Sequence, residues 1–437
     1  MVTAPSAPRM LKRRSWEART LTFSMLLTKP EHARKLKVLS AAFAIKNLEN
    51  WEFKVAALTK RLLGIFDQFC AEPPLIEDKP ETQVVHKPEE FNLDYNKYIN
   101  LFTIEAINNI ALSSVLGMIE KGNDEVTAKR MDGTTYIALY RHAQNQTART
   151  QSTFVWNYNH YHVLRWLSFV ISPYWRRIWK DAEPWGDIVY HQALKRLRRY
   201  QAGEKLDDFF AAIMDDMAGN PNNLECGEIV AEVGAVINAG ADTTGIALTH
   251  IIDFLIRNPR HLKTLREEVD NICDEDEVVI SYDKIKDLPF LRAVLDEGLR
   301  ILPPTSAALP RRTPPEGAQV LGEWIPDNTT VCMTIYGTHR DPNVFLNPDE
   351  FQPQRWMDPE ERRRMEPYFI PFSAGARGCI GRNISYLEQI VMLASLVHRY
   401  DFALPNSEWE LYWHEAFNML NGEMPIKIWR RQLLTKH

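Results

Sequence analysis

The sequence predicts a mainly α chain with a small β region, an α+β arrangement in which most of the helix comes first. Three observations carry this. Apolar residues recur at spacings of three and four from Pro30 to Phe69, Tyr95 to Leu116 and Glu225 to Arg257, the period of a helix with a buried face. After Pro303-Pro304 the prolines multiply, and short strand-like runs at Ala318–Leu321 and Thr330–Ile335 take over, separated by turn signals at Gly322 and Pro326-Asp327-Asn328. The helical period then returns over Asn383–Arg399, behind a cysteine set among glycines. We read residues 1–30 as an N-terminal tail and 31–437 as a single domain, helix-rich over 31–302 and mixed over 303–437.

Composition narrows the classes. With 437 residues the chain can bury a large core, and its 45% apolar and 25% charged content is that of a globular protein. A net charge of −5 argues against a nucleic-acid binder. The five cysteines (Cys70, Cys226, Cys273, Cys332, Cys379) are scattered, so neither a disulfide framework nor a CxxC zinc site is predicted, which fits a reducing compartment. No run is apolar enough for a signal peptide or membrane span; the longest, Ile229 to Ile256, is interrupted by Glu232, Asn238, Asp242 and His250 and reads as a core helix. HExxH, GxxxxGK[ST] and GxGxxG are all absent.

Taken in order, two helices over Pro30–Phe69 precede a proline- and acid-rich loop, Glu72–Glu90, and a helix over Tyr95–Leu116. Phe154 to Trp185 is dense in aromatics interleaved with Arg165, Arg176, Arg177 and Lys180. Such a stripe is most often core; its other reading is an interfacial segment that touches a membrane surface or gates an apolar pocket. Gln192–Met217 reads as one charged helix ended by Gly219-Asn220-Pro221. The next helix carries NAGADTTG in its middle, where small and hydroxylated residues weaken helix formation. A kink, a groove against a ligand, or a close small-residue crossing would each account for it. Glu297 and Arg300 lie three apart on the helix of DLPFLRAVLDEGLR, placed for an ion pair. Asp341–Pro371 reads as an ordered loop, and two or three short strands close the chain to Trp429.

The stretch Phe372–Gly381, FSAGARGCIG, brings Cys379 together with Gly375, Gly378, Gly381 and Arg377 just before a helix. Glycines let backbone approach a flat ligand, and a cation plus a helix N-terminus favours thiolate, a soft ligand for iron. Alone, the cluster reads more readily as a glycine turn around a buried cysteine.

The pieces in sequence, a Gly-x-Asp-Thr-Thr helix, then ExxR, then FQPQRW, then FxxGxRxCxG opening a helix, resemble the cytochrome P450 family of haem-thiolate monooxygenases, in its eukaryotic microsomal type and in the style of fungal enzymes of secondary metabolism. The resemblance runs from about His32 to the end. It implies haem b (iron protoporphyrin IX) with Cys379 as proximal ligand and Phe372 beside its sulfur. Arg377 and Arg311 look like propionate partners, and Glu297, Arg300 and Arg355 like a structural network. Asp242 and Thr243 resemble the family's acid–alcohol pair beside the oxygen-binding face. The implied reaction inserts one atom of O2 into a lipophilic small molecule, with NADPH electrons delivered through a reductase docked on basic residues such as Arg34, Lys35, Lys37 and Arg362–Arg364. The resemblance also implies the cytoplasmic face of the endoplasmic reticulum, with possible contacts to the membrane through residues 154–185. Pocket lining would come from Ala307–Leu309, Trp166–Trp175, Ala235–Ala239 and Phe417–Met419.

Two features depart from the family pattern. Its microsomal members begin with an anchor and a substrate-entry section, whereas this sequence starts about thirty residues before the helix near His32. Where the family carries Trp-x-x-x-Arg, His32 and Leu36 stand; His32 can still bond a propionate and Leu36 cannot. A second expectation follows: a truncated, haem-binding or haem-free remnant without turnover. A third, isomerisation or dehydration without a reductase, is disfavoured by the acid–alcohol pair.

Overall fold

In the computed structural model, residues 29–43, 45–73, 87–216, 218–274 and 277–432 are described. The predicted tail up to residue 28 and most of the proline-rich loop lie outside the described residues.

The first two helices are α1 (Lys29–Ala42) and α2 (Ile45–Phe69). The inward face of α2 places Val55, Leu58, Leu62 and Phe66 in the core with at most 1% exposure, as the spacing of three and four requires. Helix α3 (Tyr95–Leu112) starts where the Asp94 carboxylate accepts from the Lys97 amide at 3.2 Å. It stops four residues before the predicted Leu116, at Ser113, whose φ of 45° is left-handed.

Helix α4 spans Tyr140–Phe154, α5 Tyr161–Ile171, α6 Pro173–Gln201 and α7 Phe209–Met214. The single helix expected over Gln192–Met217 is therefore two. The chain leaves α6 through Gly203 at φ +82°, and Arg196 then holds Asp208, the cap of α7, by a buried bidentate pair at 2.7 and 3.1 Å. That buried bidentate pair, made by Nε and Nη2 while Nη1 is left without a partner, outweighs the local helix propensity of the intervening residues.

Helix α8 (Cys226–Arg257) is continuous, so of the three accounts of NAGADTTG the kink is discarded. Its glycines mark a close crossing with α3. A Cβ on Gly240 would lie 2.5 Å from Ile107 Cγ1, and one on Gly245 3.0 Å from Asn100 Oδ1. Thr103 Oγ1 donates to the Ala241 carbonyl across the same contact at 2.5 Å. Helices α9 (Pro259–Asp270), α10 (Pro289–Ile301) and α11 (Arg382–Arg399) complete the body, and Leu291, Leu295, Leu387, Val391 and Leu393 pack into one cluster with α8.

The strands make small sheets. β1 (Leu93–Asp94), β11 (Pro425–Arg430) and β8 (Tyr400–Ala403) form one in that order, and β9 (Trp413–Ala416) pairs antiparallel with β10 (Asn418–Asn421). β4 (Arg311–Arg312) pairs with β7 (Thr330–Val331), and β5 (Ala318–Val320) with β6 (Glu323–Ile325). The C-terminal stretch thus holds four strands where two or three were predicted. A hairpin of β2 (Glu125–Lys129) and β3 (Thr135–Leu139) was not predicted, although Asp132-Gly133 between two alternating runs was a legible turn signal. The expected loop 341–371 contains a short helix, Pro359–Met365, opened by the Asp358 carboxylate.

The aromatic segment divides. Ile178, Trp179 and Trp185 on α6 are buried, but α5 buries no residue and exposes Val163, Trp166, Phe169, Val170 and Ile171. The core expectation fails for α5, because that helix has neighbours on only part of its circumference. Among the described residues no helix is long and apolar enough to cross a membrane.

Candidate functional site

The cysteine loop is held by its own backbone. The Cys379 amide donates to the Phe372 carbonyl at 2.7 Å and the Gly378 amide to Gly375 at 3.0 Å. Gly375 and Ser373 sit at φ +65° and +59°, a conformation glycine adopts without strain. Helix α11 begins three residues after Cys379, and the amides of Gly381 and Arg382 point at the sulfur. A Cβ on Gly381 would sit 3.9 Å from Sγ and 4.0 Å from Phe43 Cε1, ordinary contact distances that place the first turn and Phe43 against the thiol. Cys379 is solvent-accessible, yet protein atoms gathered around it raise its thiol pKa, and the two amides and Arg382 oppose that rise. Phe372 packs against Tyr386 in a tilted pair with ring centres 5.2 Å apart, and the Arg382 guanidinium lies over both rings.

Three cationic or donor groups face one another nearby. Burial and the Arg377 charge lower the pKa of His32, and burial and the Arg311 charge lower that of Arg377. Arg311 is exposed and donates to the Leu309 and Pro310 carbonyls at 3.2 and 3.1 Å. Mutually repelling cations are relieved by an anion between them. One sulfur donor at a helix N-terminus beside a cation cluster is the donor set that fits haem, with iron on Cys379 and the carboxylates towards His32, Arg377 and Arg311. Leu36, one turn beyond His32, offers no hydrogen bond.

The second half of the site lies on α8. Asp242 is 2% exposed, and Thr243 is half-buried with its hydroxyl donating to the Ala239 carbonyl at 3.0 Å. The two side chains point to different sides of the helix. Burial raises Asp242 to about 6, the Arg141 charge opposes it, and its Oδ1 has no hydrogen-bond partner. Thr244 Oγ1 and Ser385 Oγ lie 3.0 Å apart, which ties the Asp-Thr stretch to the helix opened by the cysteine loop across 141 residues of sequence. Behind that bond is Glu388, 1% exposed and raised to about 8 by burial, so it is a neutral acid near pH 7. Sequence reasoning missed Glu388 and Ser385: a lone Glu in a helical run carries no signal until its neighbours are known.

The predicted structural network is present. Arg300 and Arg355 both donate to Glu297, at 2.9 Å and 3.1 Å. The Trp356 indole and the Gln352 amide add bonds of 2.8 and 2.9 Å to the same carboxylate. Of the basic residues expected to face a partner, Lys35 is corrected: it is buried and ion-paired to Glu232 at 2.9 Å, held inward by the acidic face of α8. Arg362 and Arg363 are exposed. Of the regions expected to line a pocket, Met419 is buried against Ile246, while Ala239 and Phe417 are exposed.

The family model Cytochrome P450 matches residues 15–428. A cytochrome P450 monooxygenase of Aspergillus terreus is 29% identical over 385 residues, 85% of this chain and 71% of the relative. The monooxygenase penB of Penicillium thymicola is 36% identical over 204 residues, 46% of each chain. Tryprostatin B 6-hydroxylase of Aspergillus fumigatus is 32% identical over 254 residues, 56% of this chain and 45% of the relative. The chain thus matches about half the length of the last two and under three-quarters of the first. Among solved structures, the haem domain of cytochrome P450DA overlays with a TM-score of 0.69 at 19% identity, covering 91% of this chain and 77% of that one.

Proposed function

The chain belongs to the cytochrome P450 family, and we propose that it is a haem-dependent monooxygenase that inserts one atom of O2 into a lipophilic small molecule of fungal secondary metabolism. The observation that carries the reading is the Cys379 loop: a sulfur at the mouth of α11, faced by two amides, two residues after Arg377, which in turn lies near His32 and Arg311. On this reading residues 31–437 form one working unit. Electrons come from NADPH through a cytochrome reductase, whose docking surface includes the exposed Arg362 and Arg363. The exposed apolar face of α5 supports peripheral contact with the endoplasmic reticulum on its cytoplasmic side.

Haem, when bound, supplies the oxidising chemistry; the residues of the chain hold it, keep its surroundings dry and deliver protons. Cys379 is the sulfur ligand, with the Gly381 and Arg382 amides tuning its charge. Arg377, Arg311 and His32 hold the propionates, and Phe372 shields the sulfur side. Thr243 presents its hydroxyl oxygen towards the half-open face of α8 while its proton is parked on Ala239. Asp242, with a pKa of about 6, lies close enough to neutrality to take up and release a proton. Its carboxyl lies on the Arg141 side, so a water or a rotamer change completes the transfer to Thr243.

The test is the absorption spectrum of the reduced protein under carbon monoxide, followed by product formation with reductase and NADPH. A strongly red-shifted Soret band that Cys379→Ala abolishes is expected. A haem-loaded protein lacking that band would overturn the thiolate assignment.

A further inference from the structure

Arg149 is a half-buried guanidinium that meets no carboxylate among the described residues. Its contacts are His414 Nε2 at 3.1 Å and the Tyr174 hydroxyl at 3.5 Å. A guanidinium donates only, so His414 Nε2 accepts and its ring proton sits on Nδ1. Burial and the Arg149 charge both hold this histidine neutral. Arg149 has five N–H donors, and these two contacts leave most of them free. The acid nearest along the facing helix α6, Asp181, is two turns away and engaged with His142 at 3.5 Å and Arg177 at 3.6 Å. Glu415 follows His414 on β9, and alternation along a strand sends it to the opposite face.

The position of this cation is set by three contacts around the open stretch of α8. At one end Gln144 of α4 donates to the Asn238 carbonyl at 2.9 Å. At the other, Ile246 packs with Ala416 and Met419 of the β9–β10 hairpin. Between them, over eight residues or about 12 Å of helix, Ala239 is exposed and Thr243 half-buried. Arg149, five residues beyond Gln144 on α4, meets His414, two before Ala416, and so bridges α4 to β9.

We propose that Arg149, with His414 and the Tyr174 hydroxyl, is an anion-recognition station that takes a carboxylate of the substrate and thereby selects organic acids. This rests on the monooxygenase reading only for the word substrate; the binding itself does not. One permanent cation matches a monoanion, and a fork of N–H donors matches the two oxygens of a carboxylate. A phosphate monoester would bring a second charge with no partner. A half-buried cation whose contacts among the described residues are neutral groups is stabilised when such an anion arrives, which makes the station selective against uncharged analogues.

The experiment uses the haem-loaded protein and a panel of about twenty lipophilic carboxylic acids, from dodecanoic acid to 4-phenylbenzoic acid, each paired with its methyl ester. Binding is read by calorimetry and by the Soret shift, with the carbon monoxide spectrum recorded on the same samples. The acids that bind are expected to do so at least tenfold tighter than their esters. Arg149→Gln should reduce that ratio to within about twofold, and Arg149→Lys should keep part of it. No acid binding better than its ester, or a ratio unchanged in Arg149→Gln, overturns the proposal and leaves Arg149–His414 a latch between α4 and β9. If Arg149→Gln does not fold, the Lys variant and the wild-type ratio decide alone. Failure of turnover with the acid–ester ratio intact counts against the monooxygenase reading and not against this site.

Discussion

Arg300 grips Glu297 at both carboxylate oxygens, 2.9 Å each, and neither side chain is accessible to solvent. Such a pair is tolerable because every charge in it is answered: Arg355, Trp356 and the Gln352 amide also donate to Glu297, and Arg300 further donates to the His339, Pro348 and Glu350 carbonyls. Removing one partner strands the other in low dielectric. Glu297→Gln should therefore destabilise by about 3–5 kcal/mol, read from urea unfolding. A loss under about 1 kcal/mol would mean that the carboxylate charge is not what Arg300 needs.

Gly240→Ala tests whether the NAGADTTG stretch is small for packing or for a ligand. The new Cβ would fall 2.5 Å from Ile107 Cγ1, so overpacking of about 1–3 kcal/mol is expected without any ligand present. Ile107→Ala in the same chain should restore part of it. A Gly240→Ala protein as stable as the parent would return the glycine to a ligand-facing role.

Glu388 predicts a pH dependence of defined sign. Its folded pKa, about 8, lies above the ordinary 4.5 because burial opposes the charge. Between those values the folded chain holds a proton that the unfolded chain has released, so stability falls as pH rises from about 4.5 to about 8 and levels off above. Glu388→Gln removes this contribution. At pH 8 the variant should be the more stable by a few kcal/mol, since each tenfold change in proton affinity on folding is worth about 1.4 kcal/mol. The gap should close towards pH 5. Parallel urea midpoints across that range would settle it; a gap that does not vary with pH counts against a neutral Glu388.

Thr243→Ala should retain haem while diverting electrons to peroxide, since the hydroxyl that handles the proton is gone. Asp242→Asn should slow product formation by about 10²-fold or more. Peroxide and product are measured together against NADPH consumed; unchanged coupling in Thr243→Ala would remove that residue from proton delivery.

Arg377→Leu should weaken haem retention, because His32 and Arg311 would face the propionates with one cation fewer. The rate of haem loss to an apo-globin trap checks this, and a rate equal to the parent's would place the propionates elsewhere.

The cysteine loop, the ExxR pair and the helix that opens at Arg382 were readable from residues alone, since each depends on neighbours within a few positions. The same holds for the limits of α8 and α10, where apolar period and breakers agree. What failed did so where distant residues intervene. The Arg196–Asp208 pair turned one expected helix into two, and a face without neighbours put the aromatic α5 on the surface. Lys35 reads as a surface base until Glu232 of α8 is set against it.

The sequence by itself thus determined the family, the cysteine loop and the order of the helices, because those lie in local patterns of residue type and spacing. Only the tertiary structure decided which glycines of α8 face α3, that burial raises Glu388 behind Thr244, and that Arg149 meets His414 with no acid beside it among the described residues. Charge state and partnership depend on burial and on contacts across as many as 265 residues of chain, and neither is encoded in any single stretch.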